Sequence, residues 1–331
     1  MRTIHAIWLL IPTLCAPELV QREGGKPQNQ VGTSLLATPF AKAALWETQF
    51  AAAKTRAAKE KKLIYAVFLS NAGDANEIAA YENEALLSPW WIQASKEVVP
   101  YLHELTDDPR RVDQELEVQL SIDTQPIPCC LFFDATGRLL LDPDSPTAAR
   151  SLPCGESPWR MDLQLARIHA DLALILERHP EDPAAIAGLE LLVAMHSEIV
   201  QEAVSEFDDA ANQPKLDPRI AALWKEHKKI RPILEILDGV GLDASASQPS
   251  DPKAENGRRL FSLLKSGVTL PLDHRRAFDF HLAALEGARR AGDGAQAQLI
   301  SDLLDKIVAR SFRYVRADMA RMIDEVKQAK F

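Results

Sequence analysis

Sulfur is the first chemistry to look for, and the chain has four cysteines: Cys15, Cys129, Cys130 and Cys154. Cys129 and Cys130 open the apolar run CCLFF, which reads as a strand. Successive strand side chains point to opposite faces, so these two thiols are expected to face apart rather than bond each other. Cysteines in such a run are commonly small buried hydrophobes. The catalytic candidate is Cys129, acting as a single-cysteine redox or thiol-exchange centre. Cys154 falls in the Pro/Gly loop LPCGESP and is expected to be a free loop thiol, with a bridge to a neighbour as the alternative.

Other chemistries lack their residues. His274 and His281 lie seven apart, roughly 10 Å along a helix, too far for one metal ion. They are expected to be helix-surface histidines. The pairs Asp107–Asp108 and Asp208–Asp209 read as solvated turns, since neither has the ligand spacing of a calcium loop. No serine elbow, phosphate-binding glycine loop or His-Glu-x-x-His is present, and no metal or cofactor is expected. Trp90 and Trp91 follow Ser88–Pro89 at a helix start. One is expected to pack on a sheet and the other to be an exposed anchor for a partner, where Trp is favoured; core packing of both is the alternative.

Residues of this kind need elements to hold them. At 331 residues the chain fits two domains, and with 47% hydrophobic residues it has ordinary globular composition. The net charge is −9 and no basic stripe carries interleaved aromatics, so nucleic acid is not an expected partner. Met1 and Arg2 precede the apolar run Ala6–Ala16. That run is too short for a membrane span, which needs roughly 20 residues, but it matches the apolar region of a secretory signal. The cleavage site is poorly formed around Leu14, Ala16 and Pro17, and Pro12 stands where a lipoprotein motif wants Leu. Residues 1–20 are therefore expected to export the chain to the periplasm or outside; the alternative is a cytoplasmic chain with an apolar start. Residues 21–38 read as a flexible lead-in.

From Pro39 the pattern turns helical, with Trp46, Phe50, Ala53 and Ala57 recurring at helical spacing. Leu63–Ser70, LIYAVFLS, reads as a central strand buried on both faces. Asp74 is a plausible N-cap for the next helix. Val98–Leu105 and Cys129–Phe133 read as strands, Arg110–Leu120 as a helix, Asp134–Arg138 as a turn and Leu139–Leu141 as an edge strand. A helix over Asp162–His179 could close the set. Helices between strands predict a mixed sheet covered on both faces. From Asp182 on, helical segments recur over Pro183–Val204, Pro218–Leu237, Glu255–Leu264, Leu272–Ala291, Ala295–Phe312 and Tyr314–Lys330. Gly239–Gly257 is expected to be a mobile loop. This half reads as an antiparallel helical array without a recognisable 34-residue repeat.

Two segments resemble the thioredoxin-like family: the strand LIYAVFLS with its loop and helix, and Gln125–Arg138, QPIPCCLFFDATGR. Within Ile78–Leu86, Tyr81, Glu82, Glu84 and Leu86 match the helix after the active site in longer members. The resemblance covers about residues 40–150. It implies that Pro128 is the proline with a cis preceding bond, the one place such a bond is cheap. It also implies that Pro128 lines a substrate groove. The chain then departs from the family. Where the family carries Cys-x-x-Cys, whose thiolate the helix N-terminus stabilises, this chain has Ala75 and Ile78. No cysteine lies between Cys15 and Cys129.

The expected fold is α/β, a thioredoxin-like domain over 39–155 followed by an all-α domain over 156–331. The expected function is a redox-inactive binding or scaffold module for a protein or peptide partner, with binding residues Pro128, Ile127, Asp74, Trp90 and Trp91. The alternative is a thiol-disulfide oxidoreductase using Cys129. A third reading gives the work to the helical half.

Overall fold

The most apolar run of the chain forms its central strand. A computed structural model describes residues 45–70, 86–105, 113–120, 129–141, 150–151, 156–197, 215–238, 252–311 and 313–330. Strand β1 (Ile64–Ser70) buries Ile64 through Leu69, because both its faces are covered. It pairs in parallel with β2 (Val99–Leu105), Ile64 opposite Val99. On its other side it pairs antiparallel with β3 (Cys129–Phe133), Phe68 opposite Cys129. The two-residue strand β4 (Arg150–Ser151) completes the order β2-β1-β3-β4. The result is a small mixed sheet with flanking helices, followed by a largely helical C-terminal region.

One face is covered by α1 (Phe50–Glu60) and α3 (Gln114–Gln119), where Phe50, Ala53, Ala57 and Leu116 meet Ile64, Phe68, Tyr101, Cys129 and Phe133. The other face is covered by α2 (Pro89–Ala94) and α4 (Glu156–Arg178), where Tyr65, Val67 and Phe132 meet Trp91, Trp159 and Leu163. This second core continues through Leu191 of α5 (Pro183–Ser197) to Ile220 and Trp224 of α6 (Pro218–Leu237). The division drawn from the sequence at residue 155 therefore crosses a continuous core. The far end of α6 enters a separate core. There Ile233 and Ile236 pack with side chains of α7 (Pro252–Lys265), α8 (Ala277–Arg290), α9 (Gly294–Arg310) and α10 (Arg313–Gln328). Helices α7 and α8 cross with their backbones in contact: a Cβ on Gly287 would stand 2.1 Å from the carbonyl oxygen of Gly257. Glycine is the residue that permits such an approach.

Several expectations are corrected. Trp46 does not lie on a helix; Glu47 bridges Tyr101 in parallel on the outer side of β2, exchanging two 2.9 Å hydrogen bonds with Pro100 and Leu102. Closing that edge holds residues 46–48 outside α1. Leu139–Leu141 is not a strand. Leu139 makes a single bridge to Phe133, and Leu141 adopts a left-handed φ of 73° that no strand accommodates. The helix expected from Arg110 is shortened to α3, because Asp113 is left-handed at φ 63°. Residues 252–257 are helical, with Ala254 buried, so the last six positions of the expected loop belong to α7; residues 239–251 lie outside the described residues. His274 precedes α8 rather than lying on it, and His281 is fully buried, donating from Nδ1 to the Ala277 carbonyl at 2.7 Å. Among the described residues, no helix is long and apolar enough to cross a membrane.

Candidate functional site

The register of β1 and β3 fixes where the two strand thiols go. Cys129 sits opposite Phe68 and Cys130 opposite Val67. Cys129 faces α1 and α3, whereas Cys130 faces α4 across the sheet. Both are reduced and buried. Burial, with a smaller effect from Cys130, pushes the Cys129 thiol well above the ordinary range. A thiol held in its neutral form is a poor nucleophile, since the thiolate is the reactive species. On the opposite face the Tyr65 hydroxyl lies near the Cys130 thiol. Burial first, and Cys130 second, raise that phenol far above its usual value.

The tryptophan pair is split by helix geometry. Ser88 caps α2, its Oγ accepting from the Trp91 N–H at 3.3 Å, and Pro89 takes the first turn where its missing N–H costs nothing. Trp91 is only 2% exposed, so it is a core residue. Its ring lies 5.1 Å from Tyr65, 5.7 Å from Trp159 and 5.7 Å from Trp46. Trp90 is half-buried and meets Trp91 edge-on at 6.0 Å. Of the two, Trp90 keeps an accessible edge. The expected site residues Pro128, Ile127 and Asp74 lie outside the described residues, as do Cys154, Ala75, Ile78 and the two aspartate pairs.

A polar cluster that sequence reasoning missed lies on the α1/α3 face. The Tyr101 hydroxyl stands 2.8 Å from Nδ1 of His103 and donates to Oδ2 of Asp113 at 2.9 Å. Nε2 of His103 lies 2.7 Å from Oε1 of Glu117, with both side chains buried. Asp113 Oδ2 also accepts from the Phe50 N–H at 2.7 Å, tying in the first residue of α1. Burial, then Asp113, raises the Tyr101 phenol far above its ordinary value. Alternation along β2 could have placed Tyr101 and His103 on one face. Their partners come from the left-handed turn at Asp113, which no local pattern announces.

His103, Phe68 and Cys129 stand in register across β2, β1 and β3. Two strand spacings, roughly 10 Å, separate the imidazole strand from the thiol strand. The pair is therefore not a Cys–His catalytic couple. A separate buried imidazole, His169 of α4, accepts the Leu141 N–H at Nδ1, 3.0 Å away. Burial lowers its pKa to about 4, so it is neutral near pH 7. Among the described residues, no three His, Cys, Asp or Glu side chains cluster to hold a metal. In comparisons with known proteins, no family model, no curated protein and no solved structure matches the chain.

Proposed function

We propose that the chain is an exported, thioredoxin-like protein without dithiol chemistry that serves as a binding or scaffold module for a protein or peptide partner. The observation that carries this reading is the disposition of sulfur: Cys129 and Cys130 are buried on opposite faces of the sheet. With no cysteine in the sequence from residue 16 to 128, the loop after β1 has no thiol of its own. A two-electron exchange needs an attacking and a resolving thiol in one place. The thioredoxin-like part of the proposal is supported by the sheet order β2-β1-β3-β4, with β1 parallel to β2 and antiparallel to β3. It is also supported by the helices on both faces. The half-buried Trp90, beside a rigid aromatic cluster, is the described residue best suited to anchor a partner.

Turnover of a disulfide substrate by the full chain tests the redox part. The expected rate equals the uncatalysed background and is unchanged by Cys129→Ser; cysteine-dependent turnover would refute the proposal. Affinity capture from the native compartment tests the binding part. Trp90→Ala is expected to weaken capture of the partner while leaving the folded fraction unchanged. N-terminal sequencing of the mature protein tests export, with a start near residue 20 expected.

A further inference from the structure

Indole rings run without a gap through the core beneath α2. Trp46, on the outer side of β2, lies 5.7 Å from Trp91 between ring centroids. Trp91 lies 6.0 Å from Trp90, its neighbour on α2, and 5.7 Å from Trp159 of α4. Trp159 in turn lies 6.5 Å from Trp90. Tyr65 of β1 stands inside this ring of indoles, 5.1 Å from Trp91 and 6.1 Å from Trp159. Centroid spacings in this range put ring edges in van der Waals contact. The ends of the line differ from its middle: Trp46 and Trp90 are half-buried, whereas Trp91 and Trp159 are buried. Packing alone does not call for indoles here. A buried Trp usually finds a partner for its N–H, and those of Trp91 and Trp159 have none among the described residues, at a cost that a phenyl or aliphatic side chain would avoid. What indole has over those side chains is ease of one-electron oxidation, and electrons tunnel readily between π systems in contact.

We infer that Trp46, Trp91 and Trp90 form an electron relay through the core, by which a one-electron oxidant arriving at Trp46 draws its electron from Trp90. One electron moves at each step. The oxidant takes an electron from Trp46 and leaves an indole radical cation. Trp46 recovers that electron from Trp91, and Trp91 from Trp90. The net change is one electron gained by the oxidant and one lost by Trp90. The direction follows from charge. A radical cation on Trp91 or Trp159 is a buried charge with no acceptor for its N–H proton. The N–H of Trp46 is also shut away from water, although the residue is only half-buried. On Trp90 the charge meets solvent at the accessible edge, and the indole proton leaves to water. Oxidation of Tyr65 requires loss of its phenol proton, and the group beside that hydroxyl is the Cys130 thiol, a weak acceptor. The hole therefore passes Tyr65 and Cys130 by and leaves at the surface.

The test injects the hole at one end and finds where it emerges. Leu45 is exposed and precedes Trp46, so Leu45→Cys places a thiol there for a ruthenium tris-bipyridine photo-oxidant. The full chain carries Cys15→Ser and Cys154→Ser as well, while Cys129 and Cys130 are buried and stay unlabelled. A flash with a soluble electron acceptor in aerated buffer generates the oxidised label, and site-resolved mass spectrometry locates the oxygenated residues. The expected product is oxygenated Trp90, above the level formed without the acceptor, with Tyr65 and Cys130 unmodified. Trp91→Phe keeps a ring in the core that the label does not oxidise. It is expected to lose most of the Trp90 product, which collects at Trp46 instead. Trp46→Phe, at a half-buried position, is the second break in the line should Trp91→Phe fold poorly, and it is expected to give the same loss. No Trp90 product, or one that survives a break in a folded variant, overturns the relay, since direct attack by the label would then account for all the oxidation seen.

Discussion

Tyr65 and Tyr101 stand in adjacent strands on opposite faces of one small sheet, and their hydroxyls meet opposite fates. Tyr101 joins a hydrogen-bonded chain that fastens two helices. Tyr65 is enclosed by Trp91, Trp159 and Phe132, and among the described residues its hydroxyl has only the weakly bonding Cys130 thiol beside it. The indole N–H groups of Trp91 and Trp159 beside it are unpartnered among the described residues. Both faces are packed with apolar side chains, but one adds a chain of directional bonds, whereas the aromatic face tolerates several unmade ones. The lesson is that two faces of the same strands can be stabilised by different physics and should fail under different conditions.

Removing contact area should cost most. Trp159→Ala opens a cavity in the aromatic face and is expected to destabilise by about 3–5 kcal/mol, read from urea unfolding midpoints; a loss under about 1 kcal/mol would mean that face does not depend on packing. Acid should act next, through His169 on this face. The pKa of His169 falls from about 6.5 when unfolded to about 4 when folded. Its contribution is thus complete above pH 6.5 and lost as pH drops towards 4. The full difference is on the order of 3 kcal/mol. His169→Gln should flatten the acid limb of a stability–pH curve. Because His227 also titrates near 4 when folded, the readout is the difference between the two curves.

The tyrosines themselves give the sharpest contrast. Tyr101→Phe breaks two contacts and leaves His103 and Asp113 with unmet groups, for an expected loss of about 1–3 kcal/mol. Tyr65→Phe removes a hydroxyl that meets only the weakly bonding Cys130 thiol and should change stability by less than about 0.5 kcal/mol, or increase it. Comparable losses for the pair would collapse the distinction between the faces.

What the sequence disclosed divides along the same line. Continuous apolar runs gave β1, β2 and β3 nearly to the residue, and Asp217–Pro218 marks the start of α6 through a cap and an N1 proline. Period-based reasoning failed where a distant partner decides the backbone. Trp46 continues the spacing of α1, yet its neighbour Glu47 is drawn to the edge of β2. Leu141 continues an apolar run, but His169, 28 residues on, captures its N–H. His281 is polar by type, and i−4 bonding to Ala277 lets it be buried. The Tyr101–His103–Glu117 chain was illegible for the same reason: its members are unremarkable alone, and only the fold brings them within hydrogen-bond reach.

The Gly257–Gly287 contact constrains how the C-terminal region can vary in length. Inserting one residue early in α8 would turn the following positions by about 100° and bring a side-chain-bearing neighbour against the Gly257 carbonyl. The turn between α7 and α8 lies outside that contact, but Leu270 within it is buried in the C-terminal core and Arg276 pairs with Asp238 at 2.9 Å. Tolerated insertions in this hairpin should therefore collect at the exposed Ser266–Gly267 turn, where a Cβ on Gly267 would meet nothing within 4 Å, and a helix that slips by a single step should cost the pair its docking.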